Sequence, residues 1–219
     1  MTLGTAVAGA PYPRDLLAGD VADAARALVG AILVRLPARQ GDQVRTGRIV
    51  EVEGYRGSDD AASHARMGRT PRNAPMFGPP GRAYLYLVYG MHHCLNVVAG
   101  PDGAPSAVLI RAVEPLEGVS AMRDARAALR RPVDGSLTTR ASRLAAGPGL
   151  VCACFSLDRS FNGLDLCDPA SPLHLLKGEA PTTIAAGPRI GIGYAGEAAV
   201  MRQWRFADPA SPALSRPIA

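Results

Sequence analysis

Residues Arg45 to Arg56 alternate in the two-residue period of a β-strand, and this stretch constrains the chain more than any other. The period places Ile49, Glu51, Glu53 and Tyr55 on one face and turns Val50 and Val52 the other way, toward a core. Two carboxylates and a phenol therefore line one surface of a sheet.

The rest of the chain supplies short elements around that strand. Residues 1–13 read as an irregular arm, Asp20 caps a helix running to about Val29 with Gly30 past its end, and Ala31 to Leu36 is a short apolar strand. Gly57 to Gly81 is nearly all breaker and polar residues, and a connection this long inside a compact domain points to function or disorder. Tyr84 to Tyr89 and His93 to Val98 form a hairpin with Tyr89-Gly90-Met91 at its tip. Ser106 to Val113 is a further strand, with Leu109 and Arg111 on one face and Val108 and Ile110 on the other. Glu117 to Arg131 reads as a helix, and Leu137 to Ala146 as a shorter one that ends at Gly147-Pro148. Cys152 to Phe206 reads as short strands broken by Asn162-Gly163 and Gly187-Pro188. Strands without regular intervening helices exclude a doubly wound fold.

At 219 residues the chain suits one large domain, and its 24 Gly and 19 Pro make it rich in loops without reaching disorder. Its apolar runs, Ala27 to Val34 and Ala83 to Val88, are far shorter than the roughly 20 residues of a membrane span. With no signal segment legible in Met1 to Pro13, the expected location is cytoplasmic, and nucleoid-associated if bacterial. The chain carries 24 basic side chains against 19 acidic ones, all the basic ones Arg except Lys177. That balance suits a polyanionic partner and equally suits coding bias.

Chemistry concentrates between Glu51 and Arg111. Glu53 beside Tyr55 is a candidate general base for water, with His64 in the following loop and Arg111 on another strand. Four of the six tyrosines fall within residues 55 to 89, beside an Arg-rich loop, as base stacking would require. His92 and His93 point to opposite faces of a strand and cannot readily share one ion, and Cys94, Cys152, Cys154 and Cys167 lack zinc-site spacing. No metal and no cofactor are expected. A nucleic-acid enzyme, a non-catalytic nucleic-acid binding module and a metal-dependent hydrolase using His64 with His92 and His93 all stand at this level.

Several runs in fixed order resemble the alkyladenine (3-methyladenine) DNA glycosylase family. They are Arg48-Ile-Val-Glu-Val-Glu-Gly-Tyr55, Ala62-Ser-His64-Ala-Arg66, Thr70-Pro-Arg-Asn73, Tyr84-x-Tyr86-x-x-Tyr89-Gly-Met91, Leu95-Asn96 and Leu109-Ile-Arg111. The likeness continues through Gly147-Pro-Gly149, Asn162-Gly163-Leu-Asp165-Leu166 and Pro188-Arg-Ile-Gly191-Ile. It implies a mixed α/β (α+β) single domain over residues 14–219, with a curved, largely antiparallel sheet, surrounding helices and a protruding β-hairpin.

The resemblance also implies an activity: flipping alkylated purines out of double-stranded DNA and hydrolysing the N-glycosidic bond with water. By similarity Glu53 activates that water, with Arg111 and the backbone carbonyl near Ile190 helping to hold it, and Glu51 is the less favoured base. Tyr55 stacks on one side of the base, His64 with Tyr86 lie on the other, and Asn96 crowds the purine edge. Tyr89, with Met91 beside it, fills the gap left in the helix, and Arg66, Arg69 and Thr70 contact the DNA backbone. The protein is expected to act as a monomer. A lone lysine away from the site motifs favours a hydrolase without strand-cutting Schiff-base chemistry. Leu150 stands where the family often has Lys, Gly54 where Ala is common, and Tyr194 and Gln203 also depart from the pattern.

Overall fold

A computed structural model describes residues 7–88, 90–128 and 140–218. Asp20 accepts from the Ala22 N–H and caps α1 (Val21–Leu28), which buries Val21, Ala24, Ala25 and Leu28. β1 (Ile32–Arg35) leads into β2 (Arg45–Arg56), which occupies the span expected from the alternation. β3 (Ala83–Val88), β4 (His92–Val98) and β5 (Ser106–Glu117) follow, then α2 (Val119–Ala128). After β6 (Ala145–Ala146) come α3 (Pro148–Phe155), β7 (Leu173–Leu176), β8 (Ala185–Gly187), α4 (Glu197–Val200) and β9 (Arg205–Ala207).

The fold is mixed α+β, and all the strand pairings are antiparallel: β3-β4-β5-β2-β1-β7 forms the main path, with β6 on β5 and β8 on β9. β2 is long enough to serve two neighbours along one edge. Its first residues, Arg45 to Arg48, pair with β1, and Glu51 to Glu53 pair with β9.

Alternation sorts the sheet into two faces. Leu85, Leu95, Val97, Val108, Ile110 and Val52 enter one continuous core with α1 and with Val151, Cys152 and Phe155 of α3. Full burial of side chains of this size contributes about 2 kcal/mol each. The opposite face carries Tyr84, with Ala65 and Met76 of the long loop packed on it and Tyr86 alongside.

β2 departs from strict alternation. Register shifts at Ile49/Glu51 and Glu51/Val52 put Ile49 in the main core with Val52 and send Val50 to a separate cluster with Ala112, Ala207, Ala213 and Leu214. Ile49 thus does not share a face with Glu53, because each bulge inserts a residue and resets the period.

The second half of the chain corrects three expectations. The 3₁₀ turn Ala141–Arg143 and strand β6 occupy residues expected to be helical, and Gly147-Pro148 starts a helix instead of ending one. Pro148 sits in the first turn of α3, where its missing N–H costs nothing. Cys152 to Phe155 are therefore helical, not strand. The helix expected from Glu117 starts at Val119, since β5 continues to Glu117 and Gly118 turns at φ +70°. The expected extent of these helices over 129–131 and 137–139 lies outside the described residues.

Candidate active site

A cavity of about 490 Å³ opens on the sheet face opposite the core. Its floor comes from alternate positions of adjacent strands: Tyr55 on β2, Tyr84 and Tyr86 on β3, Cys94 and Asn96 on β4, Leu109 and Arg111 on β5. The long loop adds His64 and Arg72, and residues 190–194 add Ile190, Ile192 and Tyr194. The volume is that of a small-molecule site.

Glu53 is fully buried and lies beneath this lining, not in it. Three lining residues hold it: Tyr55 Oη donates to Oε2 at 2.7 Å, Arg111 Nη1 donates to Oε2 at 3.2 Å, and the Ile190 N–H donates to Oε1 at 2.7 Å. Ile190 thus meets Glu53 through its amide, whereas the sequence reading gave the carbonyl there a role. A carboxylate has about four acceptor sites, so three donors leave one on Oε1 for a further donor such as water. Burial and the Glu53 charge hold the Tyr55 hydroxyl well above its ordinary range, so it remains a donor. Burial lowers the Arg111 guanidinium, but Glu53 and Glu51 outweigh it and raise it further.

The aromatic residues are tightly coupled. His64 Nδ1 lies 3.0 Å from Tyr84 Oη, and its ring centroid is 4.4 Å from that of Tyr86 at an interplanar angle of 79°. Near-perpendicular rings cannot both lie flat on one base, so one presents a face and the other an edge. Burial, then Arg72 and Arg66, push His64 below its ordinary 6.5. Tyr84 is pushed up to about 12 and Cys94 to about 11, in each case chiefly by burial. Asn96 is buried, and its amide donates to the Tyr84 carbonyl at 3.0 Å, which fixes how its side chain meets the cavity.

Two positioning residues lie in runs that carry the resemblance but are given no role there. Arg189 makes a fully buried, two-pronged pair with Asp60 at 2.6 and 2.7 Å and donates to the Gly54 carbonyl at 2.9 Å. Its guanidinium also packs 4.7 Å from the Tyr55 ring centroid. One arginine thereby braces Tyr55 and sets the chain at Ile190. Asn73 is the other: it donates to the carbonyls of His64 and Gly68 at 2.8 and 2.9 Å and accepts from the Thr70 N–H at 2.7 Å, tying the long loop together. The partners of Arg189 lie far away in sequence and those of Asn73 are backbone groups of an irregular loop, so neither contact gives a periodic signal.

The remaining expected residues lie around the cavity. Arg66 donates to the Ala61 carbonyl, Arg69 sits over the Phe77 ring at 5.9 Å, and Thr70 is exposed; none of them lines the cavity. Arg72 does line it, 5.4 Å from the Tyr86 ring centroid. Arg82 is turned to Asp165 at 3.7 Å and does not line the cavity. Tyr89 lies outside the described residues. Its neighbours form a turn, with Gly90 at φ +70°, the Met91 N–H donating to Val88 at 3.1 Å, and Met91 70% exposed. No group of three or more His, Cys, Asp or Glu side chains suited to a metal occurs among the described residues.

A family model described as methylpurine-DNA glycosylase matches residues 15–212. The chain belongs to that family. This glycosylase is 45% identical over 205 residues to a protein of Methanocella arvoryzae called a putative 3-methyladenine DNA glycosylase, covering 93% of this chain and 95% of that one. A protein of the same description from Anaeromyxobacter dehalogenans is 46% identical, with 94% and 85% covered. The DNA-3-methyladenine glycosylase of Mus musculus is 46% identical over 196 residues, 87% of this chain and 57% of the mouse protein. No helix among the described residues of the glycosylase is long and apolar enough to cross a membrane. At Gly54 an added Cβ would stand 3.4 Å from the Val21 carbonyl, at the edge of ordinary van der Waals contact.

Proposed function

We propose that this glycosylase extrudes alkylated purines from double-stranded DNA and hydrolyses the N-glycosidic bond with a water held at Glu53, leaving an abasic site. The observation that carries the reading is Glu53 itself: a buried carboxylate beneath an aromatic cavity, held by three donors, with one acceptor site left over. Glu53 takes the proton of that water and stabilises the positive charge that develops on the sugar. Tyr55, His64 and Tyr86 supply aromatic surface to the base. Purines alkylated at N3 or N7 are cationic, which makes them good leaving groups and draws them to aromatic faces. Substrates of this kind are 3-methyladenine and 7-methylpurines, with hypoxanthine and ethenoadenine as neutral counterparts. Asn96, in the cavity lining, is the candidate to crowd a purine edge.

Extrusion costs a few kcal/mol, which stacking in the pocket and a wedge in the vacated position offset. Tyr89 and Met91 are the candidate wedge, and Arg66, Arg69 and Thr70 are candidate backbone contacts, with the protein acting as a monomer. Lys177 is exposed just after β7 and is not among the lining residues, which supports hydrolysis by water over Schiff-base chemistry.

The test is incubation with methylated duplex DNA with and without EDTA, with chromatography of the released bases and borohydride trapping in parallel. The expected result is release of free methylpurines with no trapped protein–DNA adduct. Retention of every base in the DNA would overturn the activity, a trapped adduct would overturn the water mechanism, and abolition by EDTA would favour metal-dependent hydrolysis.

A further inference from the structure

One buried carboxylate has no part in the chemistry proposed above. Glu51 is fully shielded from solvent and is absent from the cavity lining. It accepts from Arg111 Nε at 3.2 Å, Arg205 Nε at 2.8 Å, the Ser215 N–H at 2.6 Å and Ser215 Oγ at 2.8 Å. Three of those donors converge on Oε1 and the Ser215 amide takes Oε2, so both oxygens of Glu51 are engaged by the protein's own groups. What it holds is Arg111.

Each nitrogen of the Arg111 guanidinium meets a different group. Nε goes to Glu51, Nη1 to Glu53 at 3.2 Å and Nη2 to Ser215 Oγ at 3.3 Å. Ser215 accepts from Arg111 and donates to Glu51, so Arg111, Ser215 and Glu51 form a closed ring. An arginine beside a carboxylate otherwise prefers a two-pronged pairing. With Glu53, such a pairing would compete with the Ile190 amide for Oε1 and cover the one site left for water. We propose that Glu51 and Ser215 are positioning residues for base excision: they fix the plane of Arg111 so that a single nitrogen reaches Glu53.

Ser215 is itself strapped in place. Arg205 Nη2 donates to the carbonyls of Arg216 and Pro217 at 2.5 and 3.1 Å, Arg143 donates to the Leu214 carbonyl, and Ala213 and Leu214 are buried with Val50 and Ala112. Ser215 also lies beyond the stretch matched to the family, residues 15–212. The inference rests on the proposed hydrolysis at Glu53 and adds a C-terminal component to it.

Ser215→Ala removes the hydroxyl and keeps the amide contact. The test measures single-turnover base release from alkylated duplex alongside affinity for a duplex carrying a tetrahydrofuran abasic-site analogue. Release by Ser215→Ala is expected to slow roughly tenfold, with affinity within about twofold of the parent, and Ser215→Thr to recover most of the rate. Parent-like release by Ser215→Ala, an equal loss of rate and affinity, or failure of Ser215→Thr to recover would overturn the clamp. Glu51→Gln is expected to slow release as well, and to add little when combined with Ser215→Ala because both open one ring; fully multiplicative losses would contradict it. If the parent released no base in this assay, the glycosylase reading would fail, whereas a competent parent matched by Ser215→Ala removes only the clamp.

Discussion

His64 shows how single residues are tuned here. Its ring is held by Tyr84 and by a near-perpendicular contact with Tyr86, and burial, with Arg72 and Arg66 nearby, disfavours its protonated form. A neutral ring offers an aromatic surface to a cationic base, where an imidazolium would repel it. The unfolded chain binds a proton near pH 6.5 that folded His64 resists, so this residue's contribution to stability falls as pH drops through that region and is constant above it. Arg72→Ala removes a like charge and should raise the titration midpoint of the His64 ring followed by NMR; an unchanged or lower midpoint would contradict the assignment. At this scale Glu53, Tyr55 and Arg111 were legible, because alternation around them survives the bulges. The amide of Ile190 was not, since a backbone group has no signature in side-chain chemistry.

At the scale of elements, β2 was legible in its span but not in all its facing. The bulges that detach Ile49 from the Glu53 face depend on how β5 pairs, which no local pattern encodes. α3 was missed because Gly-Pro marks either the end of one helix or the first turn of the next, and only the packing of Val151 and Phe155 into the core decides between them. The β1–β2 turn carries its own ion network. Asp42 accepts from Arg35 at 2.5 Å and from Arg45 at 3.2 Å, and both arginines are buried. Burial pushes the Asp42 carboxyl up, but the Arg35 and Ala38 hydrogen bonds and the Arg35 and Arg45 charges outweigh it and bring it from 3.8 to about 2. Its contribution to stability is therefore complete above about pH 4 and lost as pH falls toward 2. Asp42→Ala leaves two buried cations short of a partner and should cost about 3 kcal/mol in denaturant unfolding at neutral pH. The gap to the parent should narrow in acid; a constant gap would contradict the ion network as its source.

At the scale of the whole molecule, the single sheet divides the labour. One face packs against α1 and α3, and the other holds the aromatic cavity, its buried carboxylate and the loop tied by Asn73. Glu53 is braced from its own strand through Tyr55 and from three distant parts of the chain: β5 through Arg111, residues 189–190 through the Asp60 pair and the Ile190 amide, and the C-terminal segment through Ser215 on Arg111. Such convergence keeps the carboxylate in one geometry before substrate arrives, which is how a rigid site lowers a barrier. Glu53 is the group proposed to activate water, and Glu53→Gln keeps its shape while removing the base. Single-turnover release of 3-methyladenine from duplex DNA should fall by at least about a hundredfold, while affinity for abasic-analogue duplex stays within about threefold of the parent. Release at the parent rate by Glu53→Gln would contradict the account.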